Sequence, residues 1–304
     1  MRRLAAIDIG TNTIRMLVAE RVGRRIVPVA RRRSIVGLGR SLRETGRIGD
    51  AEFAAGLRVL REFRKEMGRR RVAAYRACGT ACLREAENRA DFLEAAAAGG
   101  IDVEAIDPAE EARLTWEGIR QAVTGRTGDV TMDIGGGSTE FAFGPLDGES
   151  VSIATGVVVL STLLPLSDPP DPWELRAVSY YARVRIEDGA RRFGRRRFRR
   201  LIGTAGTFTT LTAMERGMTR YDPDRINGST LSGTAVRRWA ERLGRMTDAQ
   251  RLRVPGMEKG RERCVVPGTL LIVAAMERFR LDGVTVSDAG LLEGILARIS
   301  HLGS

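Results

Sequence analysis

Histidine is almost missing from this 304-residue chain: it has one, His301. That scarcity argues against a Ser-His-Asp hydrolase, a phosphohistidine relay, a His-rich zinc site and the metal-dependent histidine–aspartate type of phosphohydrolase. A general base must then be a carboxylate. Cysteine is nearly as rare. Cys78, Cys82 and Cys264 are too few and too scattered for a disulfide framework, and they fit a reducing cytoplasm. Aromatic residues make up 5% of the chain. No apolar run reaches the roughly 18 residues that a spanning helix needs, so no membrane partner is expected. The start, MRRLAAIDIG, is basic but lacks the apolar stretch of a signal peptide and reads as a buried first strand.

Apolar residues at 43% and charged residues at 29% describe a folded, soluble chain with ample core. The formal charge is +12, and arginine carries nearly all of it, since Lys65 and Lys259 are the only lysines. Such a surface attracts polyanions without choosing among nucleic acid, phospholipid, nucleotide and inorganic polyphosphate. The guanidinium fork suits phosphate oxygens, although a bias in composition gives the same count.

Strand and helix patterns alternate along the chain, which defines an α/β class with mixed sheets. Residues 4–9 read as an apolar strand ending at Asp8, GTNT as a turn, and 14–20 as a returning strand. Helices are expected over Asp50–Met67 (with Asp50 as N-cap), Ala81–Ala98, Pro108–Val123, Trp173–Phe193, Thr207–Met218, Ser232–Leu243, Pro267–Phe279 and from Gly290 onward. The opening pattern then recurs: DVTMDIGGGSTEFAFG at 129–144 sets Asp133 where Asp8 stands and Gly135 where Gly10 stands. A strand–Asp–x–Gly–turn–strand unit used twice implies two domains built alike. The boundary is expected near Gly118–Val123.

Three glycine-bearing turns each follow an apolar strand: Gly10-Thr11-Asn12-Thr13, Gly135-Gly136-Gly137-Ser138 with Thr139, and Gly203-Thr204-Ala205-Gly206. Successive N–H groups in such turns can cradle phosphate, and the hydroxyls would add donors. Tight hairpins use glycine too, but three turns of this kind are hard to explain by hairpin geometry alone. Asp8 and Asp133 stand at the mouths of two of them. A carboxylate beside phosphate calls for a bridging hard cation, or else it caps its own turn. Glu110 and Glu111 open a helix, where acids also complement the dipole; a carboxylate there could take a proton from attacking water.

The stretches AAIDIGTNTIRMLVAE, GLGRSLRETGRI, CGTACLREAENRADFL, EEARLTWEGI, DIGGGSTEF, LIGTAGTFTTLTAM, YDPDRING and TVSDAGLLEGIL occur in one order over nearly the whole chain. Together they resemble the exopolyphosphatase/guanosine pentaphosphate phosphohydrolase family of the actin-like superfamily. The resemblance implies a duplicated actin-like (ribonuclease H-like) fold with a central interdomain cleft. Its first domain would span 1–120, joined by the C-terminal helix 290–304, and its second 121–289. It implies a divalent metal, Mg²⁺ or Mn²⁺, for which Asp8 and Asp133, from their places at the turns, are the expected ligands. It implies Glu111 as the base, Asp133 with neighbouring Glu140 in the catalytic loop, and Arg84 near phosphate. It implies Gly10 to Thr13 as the first phosphate loop. Leu292 replaces an Arg found in many relatives, a change that alters either affinity or a structural ion pair. Without the extra C-terminal domains of longer relatives, the chain is expected to process long polymers poorly.

The implied activity is release of orthophosphate from the end of inorganic polyphosphate. The alternatives are guanosine pentaphosphate as substrate, and a non-catalytic actin-like sensor of nucleotide or polyphosphate. A homodimer is compatible with the family. Nucleic acid is not an expected partner, because no nucleic-acid module is recognisable. The segment Arg191–Arg200 has seven arginines in ten positions. It reads either as a polyanion track or as a solvated face anchored by Phe193 and Phe198.

Overall fold

The computed structural model describes residues 2–22, 25–143, 149–194 and 196–301. The chain divides into two compact units, Met1–Gly118 with Gly290–Ser304, and Ile119–Ala289.

In the first unit, strands β1 (Arg3–Ile9), β2 (Thr13–Val22) and β3 (Arg25–Ile35) form an antiparallel meander. Two helices follow, the one-turn α1 (Leu42–Thr45) and the long α2 (Asp50–Arg69). Strand β4 (Val72–Gly79) then pairs in parallel with β1. After α3 (Ala81–Glu85) and α4 (Arg89–Ala98), the short strand β5 (Val103–Ala105) pairs in parallel with β4. The sheet order is β3-β2-β1-β4-β5. Helix α5 (Pro108–Ala122) crosses the division between the units.

β1 is buried on both faces, which is why LAAIDI is apolar but for Asp8. With the period of two that a strand imposes, Ala5, Ile7 and Ile9 join the side chains of α2 and α4. Leu4 and Ala6 join Leu114 of α5 on the opposite face.

The second unit repeats this order. Strands β6 (Asp129–Ile134), β7 (Thr139–Phe143) and β8 (Ser150–Ile153) form the meander. Helices α6 (Val157–Leu163) and α7 (Pro172–Ala190) lead to β9 (Arg200–Thr204), parallel to β6. Helices α8 (Gly206–Glu215) and α9 (Pro223–Ile226) come next, then β10 (Ser229–Ser232), α10 (Gly233–Gly244), α11 (Asp248–Leu252), α12 (Val265–Phe279) and β11 (Gly283–Val286). The sheet order is β10-β11-β9-β6-β7-β8. Read from β8 it matches the first sheet strand for strand and orientation for orientation, with β10 added antiparallel at the edge. The class is therefore the duplicated actin-like α/β fold.

Finally α13 (Leu291–His301) returns to the first unit, where Leu291, Leu292, Ile295 and Leu296 complete the apolar face that holds Leu4 and Leu114. Leu292 is thus a packing residue, 7% exposed.

Several local expectations change. Gly49, not Asp50, is the N-cap of α2. The helix expected over Ala81–Ala98 breaks at Ala86, which is extended, because the Asn88 side chain bonds both the N–H and the C=O of Ile48. Helix α7 ends at Ala190, and Arg191–Phe193 form a single 3₁₀ turn. Phe193 is buried, and Phe198 stacks on Phe143 with centroids 5.0 Å apart. Arg196 reaches Glu149, and Arg200 reaches Asp129. The aromatic pair anchors the segment in the core, as the solvated-face reading has it; Arg195 lies outside the described residues.

Two glycines let α5 and α13 touch backbone to backbone. A Cβ on Gly118 would lie 1.8 Å from the Gly290 carbonyl oxygen, and one on Gly294 would lie 1.8 Å from that of Leu114. We expect Gly294→Ala to lower unfolding free energy by about 2 kcal/mol or more, the scale of forced overpacking. Urea denaturation checks this; an unchanged midpoint would contradict the close approach. Burial also pushes the Cys78 and Cys82 thiols up to about 12. Thiols ionise more readily in the unfolded chain, so the associated stability is intact below their ordinary value and is lost as pH rises toward about 12. At pH 8 iodoacetamide should modify neither cysteine in the native protein and both in urea, as mass spectrometry would show.

Candidate active site

The two equivalent hairpin turns share a polarity that their sequences do not announce. In the first, Gly10 N–H closes onto Thr13 C=O at 3.0 Å. The carbonyl of Asn12 accepts from the N–H groups of Val36 and Gly37, both at 2.9 Å, and the carbonyl of Thr11 accepts from Gly39 at 2.9 Å. Gly39 has to be glycine there, because a Cβ would stand 2.3 Å from the Thr11 methyl. In the second turn, Gly135 N–H closes onto Ser138 C=O at 3.0 Å. The carbonyls of Gly135, Gly136 and Gly137 accept from Val157, Val158 and Gly156 at 2.9–3.0 Å. The first N–H groups of α6, which have no partner inside their own helix, are satisfied in this way. Gly156 permits the approach, since its Cβ would lie 2.4 Å from the Gly136 carbonyl.

Among the described residues, the N–H groups of Thr11 and Asn12, and those of Gly136 and Gly137, meet no protein acceptor. Each turn therefore has its oxygens tied inward and donors left over. That is the arrangement an anion needs.

The third turn differs. It runs from β9 into α8, whose first N–H groups form a helix N-terminus. Ala205 sits at φ 69°, ψ −177° as the N-cap, a region almost confined to glycine. The guanidinium of Arg261 covers Gly206 so closely that a Cβ there would fall 1.7 Å from its Nη1. Arg261 also pairs with Glu258. A cation over the positive end of a helix is adverse unless an anion joins them. Arg261 was not legible beforehand, because KGRERC carries no local pattern that sets one arginine apart.

The carboxylates fall into distinct settings. Asp8 and Arg15 face each other across β1 and β2, and the Arg15 Nε donates to Asp8 Oδ2 at 2.8 Å. Glu110 is held by Arg76 at 3.2 Å and by Arg113, which makes it structural. Glu111, one residue on, turns to Arg84, whose Nη1 donates to its Oε2 at 2.7 Å. The same nitrogen also donates to the Ile106 carbonyl at 3.0 Å. The first unit thus brings together two residues, Glu111 and Arg84, that lie 27 positions apart in sequence. In the second unit Asp133 and Glu140 are cross-strand neighbours on β6 and β7, and buried Glu140 accepts from Ser152 Oγ at 2.8 Å.

The hydroxyls expected to add donors to the loops are partly committed elsewhere. Thr139 donates to the Thr155 carbonyl at 2.7 Å and Thr204 to that of Ala289 at 3.1 Å, both as buried braces. Ser138 is also buried. In the second unit the motifs YDPDRING and TVSDAG meet, through Asn227 Oδ1 accepting from Asp288 N–H at 2.7 Å and through Tyr221 on Asp288.

No cluster of three or more His, Cys, Asp or Glu side chains forms among the described residues. An all-protein metal cage is therefore not among them. Asp133 and Glu140, opposite each other on β6 and β7, are carboxylates that could take part in holding a metal. No helix of the described residues is long and apolar enough to cross a membrane.

Turns with donors left over are compatible with an anionic ligand, and comparison with known proteins specifies the family. The Ppx/GppA phosphatase family matches residues 17–302. Exopolyphosphatase 2 of Mycobacterium tuberculosis is 33% identical over 313 residues, covering 97% of this chain and 98% of that protein. A Ppx/GppA family member from Aquifex aeolicus aligns over 100% of this chain and 99% of its own, at 27% identity and a TM-score of 0.85. An exopolyphosphatase from Cytophaga hutchinsonii aligns over 100% and 99%, at 28% identity and a TM-score of 0.91. The chain belongs to the Ppx/GppA phosphatase family. It is a phosphoanhydride hydrolase, a polyphosphate or GppA-type phosphohydrolase.

The backbone strain at Ala205 is directly testable. Relief of a glycine-only conformation is worth about 1–3 kcal/mol, against roughly 0.5–1 kcal/mol for glycine's extra unfolded-state entropy. Ala205→Gly should therefore raise the unfolding free energy by about 1 kcal/mol, seen as a higher urea midpoint. A lowered midpoint would contradict the assigned backbone.

Proposed function

We propose that the protein is a Mg²⁺-dependent exopolyphosphatase that removes the terminal phosphate of inorganic polyphosphate as orthophosphate. The observation that carries this reading is the polarity of the turns, with carbonyls spent on the protein and successive N–H groups left as donors. A chain of phosphates is an unbroken row of acceptors, and it suits such donors better than a neutral substrate does.

In this reading Thr11, Asn12, Gly136 and Gly137 bind phosphate oxygens through their N–H groups. Arg261 and the first N–H groups of α8 bind a further phosphate. Glu111 orients a water molecule and accepts its proton as the water oxygen attacks phosphorus. Arg84 is a positioning residue, whose pairing with Glu111 and the Ile106 carbonyl fixes where that carboxylate points. Asp133, with Glu140 beside it, would hold the metal. Asp8 is committed to Arg15, so we give it the task of fixing that arginine beside the first turn. When bound, Mg²⁺ neutralises phosphate charge and stabilises the charge that develops in transfer.

The test is orthophosphate release from tripolyphosphate, long-chain polyphosphate, guanosine pentaphosphate and ATP, with and without Mg²⁺. Polyphosphate should be turned over at the highest kcat/KM and only with metal. A preference for guanosine pentaphosphate would replace the substrate assignment. Glu111→Gln should lower kcat by about two to four orders of magnitude, the usual worth of a positioned base, with KM little changed. A near-normal single-turnover rate in that variant would remove Glu111 from the mechanism.

A further inference from the structure

The arginine-dense stretch Arg191–Arg200 is partly neutralised by its own ion pairs, but another basic surface is not. Arg238 and Arg242 of α10 and Arg245, its C-cap, stand at positions i, i+4 and i+7, which places them along one side of the helix. They line a groove of ≈ 600 Å³ together with Arg253, which follows α11. Arg238 is tied to Glu215 at 2.6 Å. Arg242 lies over the Trp239 ring at 4.9 Å. Among the described residues, Arg242, Arg245 and Arg253 have no carboxylate partner. All three are exposed. Glu241 is the acidic residue of the lining.

This groove is not the turn site. Glu215 is the last residue of α8 and Gly206, under Arg261, is the first. Ten residues at 1.5 Å each put about 15 Å between the two ends.

We propose that the groove is an exosite for a linear phosphoanhydride chain, holding distal phosphates of a long polyphosphate whose end is processed elsewhere. The proposal rests on the polyphosphate reading for the identity of its ligand. Three features select that chemistry. The basic stripe runs about 10 Å along α10, counting 1.5 Å per residue, so it matches an extended polyanion better than a single phosphate. Among the described residues, Arg242, Arg245 and Arg253 are exposed and form no ion pair that a ligand would have to displace. The groove also offers no stacking platform: Trp239 is 5% exposed, its indole N–H donates to Glu215 at 2.7 Å, and Arg242 covers its face. Single-stranded nucleic acid is held by exposed aromatics that stack its bases. A phosphate chain carries no bases and asks for none.

The experiment compares wild type with an R242Q/R245Q/R253Q variant and an R242K/R245K/R253K variant. Binding of fluorescently labelled long-chain polyphosphate is measured without divalent metal at several salt concentrations. Tripolyphosphate hydrolysis with Mg²⁺ is followed in parallel. The Gln variant should bind the long chain about tenfold more weakly, and its slope of log affinity against log salt should fall by about 2, by analogy with counterion release from nucleic acid. Its kcat and KM on tripolyphosphate should stay within about twofold, because charges beyond a Debye length of about 10 Å are largely screened. The Lys variant should recover most of the loss, which a merely misfolded groove would not do. Unchanged long-chain affinity and salt slope in the Gln variant would overturn the exosite. So would a loss confined to ATP, or a larger loss for a single-stranded oligonucleotide than for polyphosphate. If wild type binds long polyphosphate through these arginines yet hydrolyses none, the exosite stands and the substrate assignment fails.

Discussion

Backbone hydrogen bonding at two hairpin turns is the constraint on which the rest of the structure depends. A turn of three or four residues has both donors and acceptors to place, and a protein that satisfied both would present nothing to a ligand. Here the acceptors are consumed. Val36, Gly37 and Gly39 take the oxygens of the first turn, and Gly156, Val157 and Val158 take those of the second. Each turn is left as a net donor, and an anion with several oxygens complements it.

The surrounding architecture serves that end. The five-strand arrangement recurs in both units, so Asp8 and Asp133 each occupy the next-to-last position of the central strand, just before the turn. Their partners across the hairpin differ, Arg15 in one case and Glu140 in the other. The duplication thus keeps the donor-bearing turn and changes the residue opposite its aspartate. In the first hairpin an arginine stands opposite the aspartate, whereas in the second another acid does.

Much of this was legible in sequence, for reasons that can be named. The repeated strand–Asp–x–Gly pattern exposes the duplication, because a strand buried on both faces must be continuously apolar and its turn must be glycine-bearing. Glu111 was singled out only by resemblance, since two adjacent glutamates in a first helical turn look alike. The structure separates them: Glu110 goes to Arg76 and Arg113, and Glu111 to Arg84. Contacts between residues far apart in sequence stayed hidden, including Arg261 over Gly206 and Asn88 on Ile48, which breaks an otherwise plausible helix. The hydroxyls of Thr139 and Thr204 misled because a threonine in a loop gives no sign of whether it faces ligand or its own backbone. Arg191–Arg200 stood out by density alone, and two of its arginines pair with Glu149 and Asp129. The arginines of α10, spaced by helical turns, do not stand out in the linear chain.

The central claim is that backbone N–H groups of the two turns hold phosphate, and amide NMR addresses it without relying on turnover. With ¹⁵N-labelled protein carrying Glu111→Gln, tripolyphosphate would be titrated in the presence of Mg²⁺ and the amide signals followed residue by residue. The account predicts saturable downfield shifts of the Thr11, Asn12, Gly136 and Gly137 amide protons. The Gly10 and Gly135 amides, already bonded within their turns, should move far less. Saturable binding that leaves those four amides unmoved would contradict it.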